Sequence, residues 1–172
     1  MKVPEIDWLL KAKEGENIEF KEAKASYSFD ELAKYACGIA NRGGGYFVLG
    51  VSDKRPRQVV GTRAFEQPER TRAALMDRLS VRIDFLLLEW DGKRVLVFEV
   101  PSRPVGIPIQ DKGIAWWREG DSLVPMPMSE MRTIWIKPRS RTSGNDGWPS
   151  HKTLHWPLSP RSSSCGIANL SF

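Results

Sequence analysis

Histidine and cysteine are scarce in this chain, with two of each among 172 residues. Both histidines, His151 and His155, lie near the C-terminus between Pro149 and Pro157. They read as solvated residues of a tail rather than as a metal-binding pair on one helix face. The foldable part then has no histidine, which excludes imidazole-based general-base catalysis and nucleophile activation. Cys37 and Cys165 match no metal-ligand spacing and cannot make a disulfide scaffold. Cys37 falls inside a helical pattern and reads as a small buried apolar residue. No apolar run approaches the length of a membrane span, and "MKVPEIDWLLKAKEGE" carries charges where a signal peptide needs an apolar block. The expectation is a cytoplasmic protein with no membrane partner.

Excess charge of one sign is also small where it matters. The formal net charge is +5. The last 35 residues hold Arg139, Arg141, Lys152 and Arg161 against Asp146 alone, leaving 22 basic and 20 acidic residues in positions 1–137. Bulk charge therefore argues only weakly for a polyanion partner, and a basic surface must come from local clustering. Residues 138–172 are rich in serine, proline and glycine and keep no period of 2 or 3.6. Such a segment cannot bury enough apolar surface to offset its ordering entropy. The expected organisation is one domain over 1–137 and a low-complexity, disordered tail over 138–172.

Within the domain the pattern predicts a short helix in "PEIDWLLKAK", a half-buried strand in "NIEFKEA", and a helix in "SFDELAKYACGIANR" with Ser28 or Asp30 as N-cap. A central strand "YFVLGV" follows, then a helix in "QPERTRAALMDRLS". Asp91-Gly92 sits between two apolar runs, the strongest short-range hairpin signal. "GIAWWRE" and "SLVPMPM" read as extended, and "SEMRTIW" as a helix capped by Ser129. The order is a short helix, β-α-β-α-β-β, then a β-rich extension: an α/β (α+β) domain with helices on a mixed sheet.

Gly43-Gly44-Gly45 raises the question of a phosphate loop. Such a loop follows a strand and opens a helix, so that N–H groups and the helix N-terminus converge on the anion. Here the order is helix, glycines, strand, and a helix C-terminus carries the wrong partial charge. The glycines are expected to end the helix and let the backbone pass close to the sheet.

"EGENIEFKEA", "IANRGGGYFVLGVSD", "VPSRPVGIP" and "GIAWWREGDS" occur in the order seen in Schlafen AlbA-like domains, and the chain resembles that family over residues 12–135. The resemblance implies an Alba-like core and contact with nucleic acid. In the family's nucleases, three carboxylates hold divalent metal and cut transfer or ribosomal RNA; the matching positions are Glu14, Glu19 and Asp53. The resemblance thus implies Mg²⁺ or Mn²⁺ on these three residues as a catalytic centre, consistent with the oxygen preference of hard cations. These nucleases build their groove from two lobes, so a single lobe implies a homodimer, with RNA favoured over DNA if the chain cuts. Strands around Glu19 and Val48 that run parallel would put Glu14 and Asp53 toward opposite ends, so the three meet only where the chain bends.

Lys21 shares a strand face with Glu19. The candidate backbone-binding residues are Lys21, Lys24, Arg42, Lys54, Arg55, Arg57 and Arg118, of which "SDKRPR" is the only dense cluster. One of Trp116 and Trp117 is expected to pack inward, leaving the other to stack on a base. Three readings stand at this point: a metal-dependent endoribonuclease acting on structured RNA, a non-catalytic DNA- or RNA-binding regulatory module, and an ATP-binding accessory protein.

Overall fold

A parallel pair of strands starts the sheet, and an antiparallel hairpin finishes it. The computed structural model describes residues 6–136; the expected tail, with His151, His155 and Cys165, lies outside the described residues. The elements are α1 (Ile6–Lys11), β1 (Ile18–Lys21), α2 (Phe29–Asn41), β2 (Gly45–Leu49), α3 (Pro68–Leu79), β3 (Asp84–Trp90), β4 (Lys93–Val100), β5 (Trp116–Glu119), β6 (Ser122–Pro125) and α4 (Met128–Ile136). The main sheet has the order β1-β2-β4-β3, with β1 parallel to β2 and the other pairs antiparallel. β5 and β6 form a separate hairpin. This is the expected α+β architecture, with α1 before the core and the second hairpin after it. Among the described residues no helix is long and apolar enough to cross a membrane.

Both faces of the sheet are covered, which is why β2 and β4 read as nearly continuous apolar runs. On one face, Phe47, Leu49, Leu96 and Phe98 meet the apolar side of α2 (Leu32, Ala36, Ile39) and Leu75 of α3. On the other, Val48, Val95, Val97 and Phe20 meet Ile6 and Leu9 of α1. Each large side chain buried here stabilises the fold by about 1.5–3 kcal/mol before entropy is counted. Cys37 is fully buried in the first cluster, and burial pushes its thiol up to about 12, so it is a packing residue and not a nucleophile.

Local signals explain the joints. The Ser28 hydroxyl accepts the Glu31 N–H at 3.4 Å and caps α2, so Ser28 rather than Asp30 is the cap. At the other end, Gly43 N–H donates to Ala40 O and Gly44 N–H to Ile39 O, the paired bonds of a Schellman ending. Gly45 then passes so close to β1 that an added Cβ would lie 1.8 Å from the Asn17 carbonyl oxygen. The three glycines are therefore a joint, as their order implied. Asp91 (φ 50°) and Gly92 (φ 68°) make the expected tight turn between β3 and β4. α4 departs slightly from expectation. It begins at Met128, and the Pro127 carbonyl accepts the Glu130 and Met131 N–H groups, which places Ser129 inside the first turn.

Candidate nucleic-acid interface

Glu19 lies on β1 with its side chain on the α2 face of the sheet, and it is 2% exposed. Alternation puts Lys21 on the same face, and its Nζ stands 2.7 Å from Glu19 Oε1. The other oxygen, Oε2, accepts Arg118 Nη2 at 2.5 Å. Arg118 comes from β5, is fully buried, and also donates to the carbonyls of Gly15 (3.0 Å) and Asp121 (2.9 Å). Its guanidinium lies over the Tyr35 ring, as does Lys21 Nζ. Gly38 of α2 makes room for this arrangement, since a Cβ there would sit 2.7 Å from Leu123 Cδ1 and 3.3 Å from Arg118 Cγ. Glu19 therefore has a cation on each oxygen. Burial lowers the basicity of Lys21, but the Glu19 carboxylate more than offsets it and the Lys21 pKa is raised.

Glu14 reaches the same corner because the chain does bend. Gly15 N–H donates to Ile18 O at 3.2 Å, turning the chain back along β1. The Asn17 and Lys21 carbonyls face β2, so the Phe20 N–H points to the open edge, where Glu14 Oε1 accepts it at 3.5 Å. Glu14 Oε2 is 3.6 Å from Arg57 Nη2. Burial, and then the neighbouring Glu19 charge, raise the Glu14 pKa; the Phe20 N–H, Arg57 and Lys21 act against them. Asp53 follows β2 at the exposed tip of the 52–58 loop. Among the described residues no group of three or more His, Cys, Asp or Glu side chains is placed to hold a metal ion. Glu14 and Glu19 are neighbours, and Asp53 does not form such a group with them. β1 and β2 run parallel, and the bend at Gly15 returns Glu14 beside Phe20, at the strand end that Asp53 follows; Arg57 pairs with Glu14 and also feels the Asp53 charge. In this arrangement each Glu19 oxygen already faces a cation of the protein itself, so a divalent ion there would compete with Lys21 and Arg118.

Several expected phosphate contacts are engaged inside the fold. Arg118 is fully buried on Glu19, as above. Arg57 is 8% exposed, donates to the Ala12 carbonyl at 2.6 Å and stacks over Phe20 at 3.9 Å. Arg55 is exposed, yet Nη2 donates to the Lys11 and Ala12 carbonyls at 3.3 and 3.0 Å. Both arginines thus cap the C-terminus of α1, where unpaired carbonyls and the helix dipole favour cations. Arg42 pairs with Glu16 and lies over the Trp117 ring. Lys21 is held by Glu19. Lys24 and Lys54 remain exposed, with Lys24 in a 3.3 Å surface pair with Glu22. Neither tryptophan is free for stacking. Trp117 is buried against Met126 and Ile134, while half-buried Trp116 packs on the α2 cluster with Lys34 over its ring.

Asn41, within the quoted glycine-joint motif but assigned no role from sequence, proves central. Its amide nitrogen donates to the Ile109 and Trp116 carbonyls at 2.9 and 2.8 Å, and its Oδ1 accepts the Ile109 N–H at 2.8 Å. Arg78 likewise grips the buried Asp111 carboxylate through Nε (2.5 Å) and Nη2 (3.0 Å) and reaches Asp30 at 2.6 Å. Asparagine next to a helix-ending glycine run was the only sequence hint of the first, and nothing local signalled the second.

No curated protein matches the chain significantly. Among solved structures, it is similar to the DIP2311 protein from Corynebacterium diphtheriae at 25% identity with a TM-score of 0.58, over 73% of this chain and 24% of that one. The chain thus spans about a quarter of that protein's length. It also resembles the N-terminal domain of a RecG-related protein from Nitrosomonas europaea, at 20% identity with a TM-score of 0.45, over 87% of this chain and 95% of that one. The family model described as Schlafen, AlbA_2 matches residues 14–127, which takes in β1 to β6, the Glu14–Glu19 corner and the Asn41 hub. The chain belongs to the Schlafen AlbA_2 family.

Proposed function

We propose that this chain is a nucleic-acid-binding domain that holds the phosphate backbone through charge and that binding, rather than cutting, is its activity. Family membership over residues 14–127 carries the reading, because the Schlafen AlbA-like resemblance implies nucleic-acid contact. The engagement of both Glu19 oxygens by Lys21 and Arg118 favours binding over cleavage. A buried carboxylate in such a pair is a structural element, and releasing it for another ligand would strand the buried guanidinium.

Fluorescence anisotropy with a labelled RNA hairpin and a DNA duplex of equal length tests this. The expected result is binding that needs no divalent ion and weakens steeply as salt rises from 50 to 200 mM. No binding to either probe at 50 mM salt would sink the reading. The endoribonuclease reading has its own arm: the RNA hairpin is incubated with Mn²⁺ or Mg²⁺ and resolved on a gel. Asp53 is exposed, so Asp53→Asn leaves the fold intact. Cleavage by the wild type that disappears in Asp53→Asn would replace binding with metal-dependent cutting.

A further inference from the structure

A cleft of about 640 Å³ opens where the loop after β2 meets the start of β4. Lys24, Arg63, Lys93 and Arg94 line it, with Glu66 as the single carboxylate of the lining and bare backbone at Gly61 and Gly92. These cations come from three separate places in the sequence, around residues 24, 63 and 93–94, so no local cluster reveals them.

The cleft is built rather than incidental. Arg94 reaches across to the Thr62, Ala64 and Phe65 carbonyls at 3.2, 2.9 and 2.9 Å. In return the Thr62 N–H donates to Arg94 O, and the Arg63 N–H donates to Lys24 O, both at 2.9 Å. The Thr62 hydroxyl donates to Ala23 O at 2.6 Å. The loop is thereby fastened to the end of β1 and the beginning of β4, which fixes the wall before any ligand arrives.

The charge is only partly cancelled: Lys24 pairs with Glu22 at 3.3 Å on the surface, and Glu66 stands in the lining, against four cations. The Arg94 hydrogen bonds end on neutral carbonyls, which satisfy its donors without neutralising it. Lys93 Nζ gives one hydrogen bond, to Val59 O at 3.1 Å, and keeps two donors. The Arg63 guanidinium is exposed and makes no ion pair or side-chain hydrogen bond among the described residues. Like charges gathered around one concavity raise the local potential and attract an anion. An open cleft with bare backbone in its wall suits an extended polyanion passing through it.

We propose that this cleft, through Arg63 and Lys93 with Lys24 and Arg94 behind them, is where the domain grips the phosphate backbone of a nucleic-acid strand. The proposal rests on the nucleic-acid reading above and adds the surface that performs it. It is tested by anisotropy with the same RNA hairpin and DNA duplex, using Arg63→Ala/Lys93→Ala, Arg63→Glu alone, and Arg132→Ala on α4 as a control. The double variant is expected to lose roughly tenfold in affinity at 100 mM salt, and its slope of log affinity against log salt should flatten by about 1–2. Arg63→Glu tests the cleft without touching a bond that holds the fold, and it too should weaken binding, while Arg132→Ala should bind as the wild type. If the cleft variants keep wild-type affinity and slope while the wild type binds, the cleft is wrong and the nucleic-acid reading survives. If Arg132→Ala loses as much as the double variant, the attraction is diffuse and the cleft is again wrong. If the wild type binds neither probe, both fall.

Discussion

At the corner beside β1, Glu19 meets Lys21 and Arg118, Glu14 leans on Arg57, and every charge is answered from within the protein. At the cleft beside β4, the Arg63 guanidinium makes no ion pair among the described residues, Lys93 and Arg94 donate to neutral carbonyls, Lys24 alone has a surface partner in Glu22, and Glu66 is the one carboxylate of the lining. The corner is buried and the cleft is open. Charge answered internally holds elements together, whereas unanswered charge at a rigid, open surface is left for a ligand. The residue types are the same, so the lesson lies in what surrounds them.

The sharpest way to break the contrast is at the corner. Glu19→Ala leaves the fully buried Arg118 without its counter-charge and should cost about 3–5 kcal/mol, seen as a fall in Tm of roughly 10–15 °C. Replacing both partners by apolar residues, Glu19→Leu with Arg118→Met, should restore much of the loss. If Glu19→Ala alone melts like the wild type, the corner is not structural. Next comes Asn41→Ala, which strands the Ile109 N–H, removes the Asn41 bond to the Trp116 carbonyl and leaves the Ile109 carbonyl with only the Cys37 thiol, and should lower stability by about 2–4 kcal/mol by urea denaturation.

At the cleft the expectation reverses. Arg63→Ala should change stability by no more than about 0.5 kcal/mol while reducing nucleic-acid affinity. A large stability loss would mean that Arg63 is spent on the fold after all. The smallest effect is at Glu14. Its raised pKa means that the folded state binds more protons than the unfolded chain just above the ordinary glutamate range, so this group lowers stability as pH rises through it. Glu14→Gln should therefore be slightly more stable than the wild type at pH 7, by about 0.5 kcal/mol. Thermal melts should show the advantage vanishing below the ordinary glutamate pKa; an advantage that persists there would refute the electrostatic cause.

Features encoded within a few residues were legible in the sequence. Asp91-Gly92 announced its turn, Gly43-Gly44-Gly45 its joint, and Ser28 its cap, because each depends on local backbone chemistry. Roles set by distant partners were not. Arg118 beside two tryptophans reads as a surface cation, and only the packing of β5 on α2 brings it to Glu19, 99 residues earlier. "SDKRPR" reads as a solvated basic loop, yet two of its arginines close the end of α1, some 43–45 residues before them. The cleft was invisible for the opposite reason: its cations are scattered along the chain and meet only at the end of the sheet.

The Glu19–Arg118 pair also sets a boundary on where the chain can be cut. A fragment ending near residue 110 would keep all four strands of the main sheet and look complete on paper. It would still lack Arg118, the buried one of the two cations that answer Glu19 in the first of those strands. On a ribosome, likewise, β1 cannot reach its finished environment until the second hairpin has emerged. The shortest piece that can stand alone is therefore decided by where a buried charge finds its match, not by where the sheet ends.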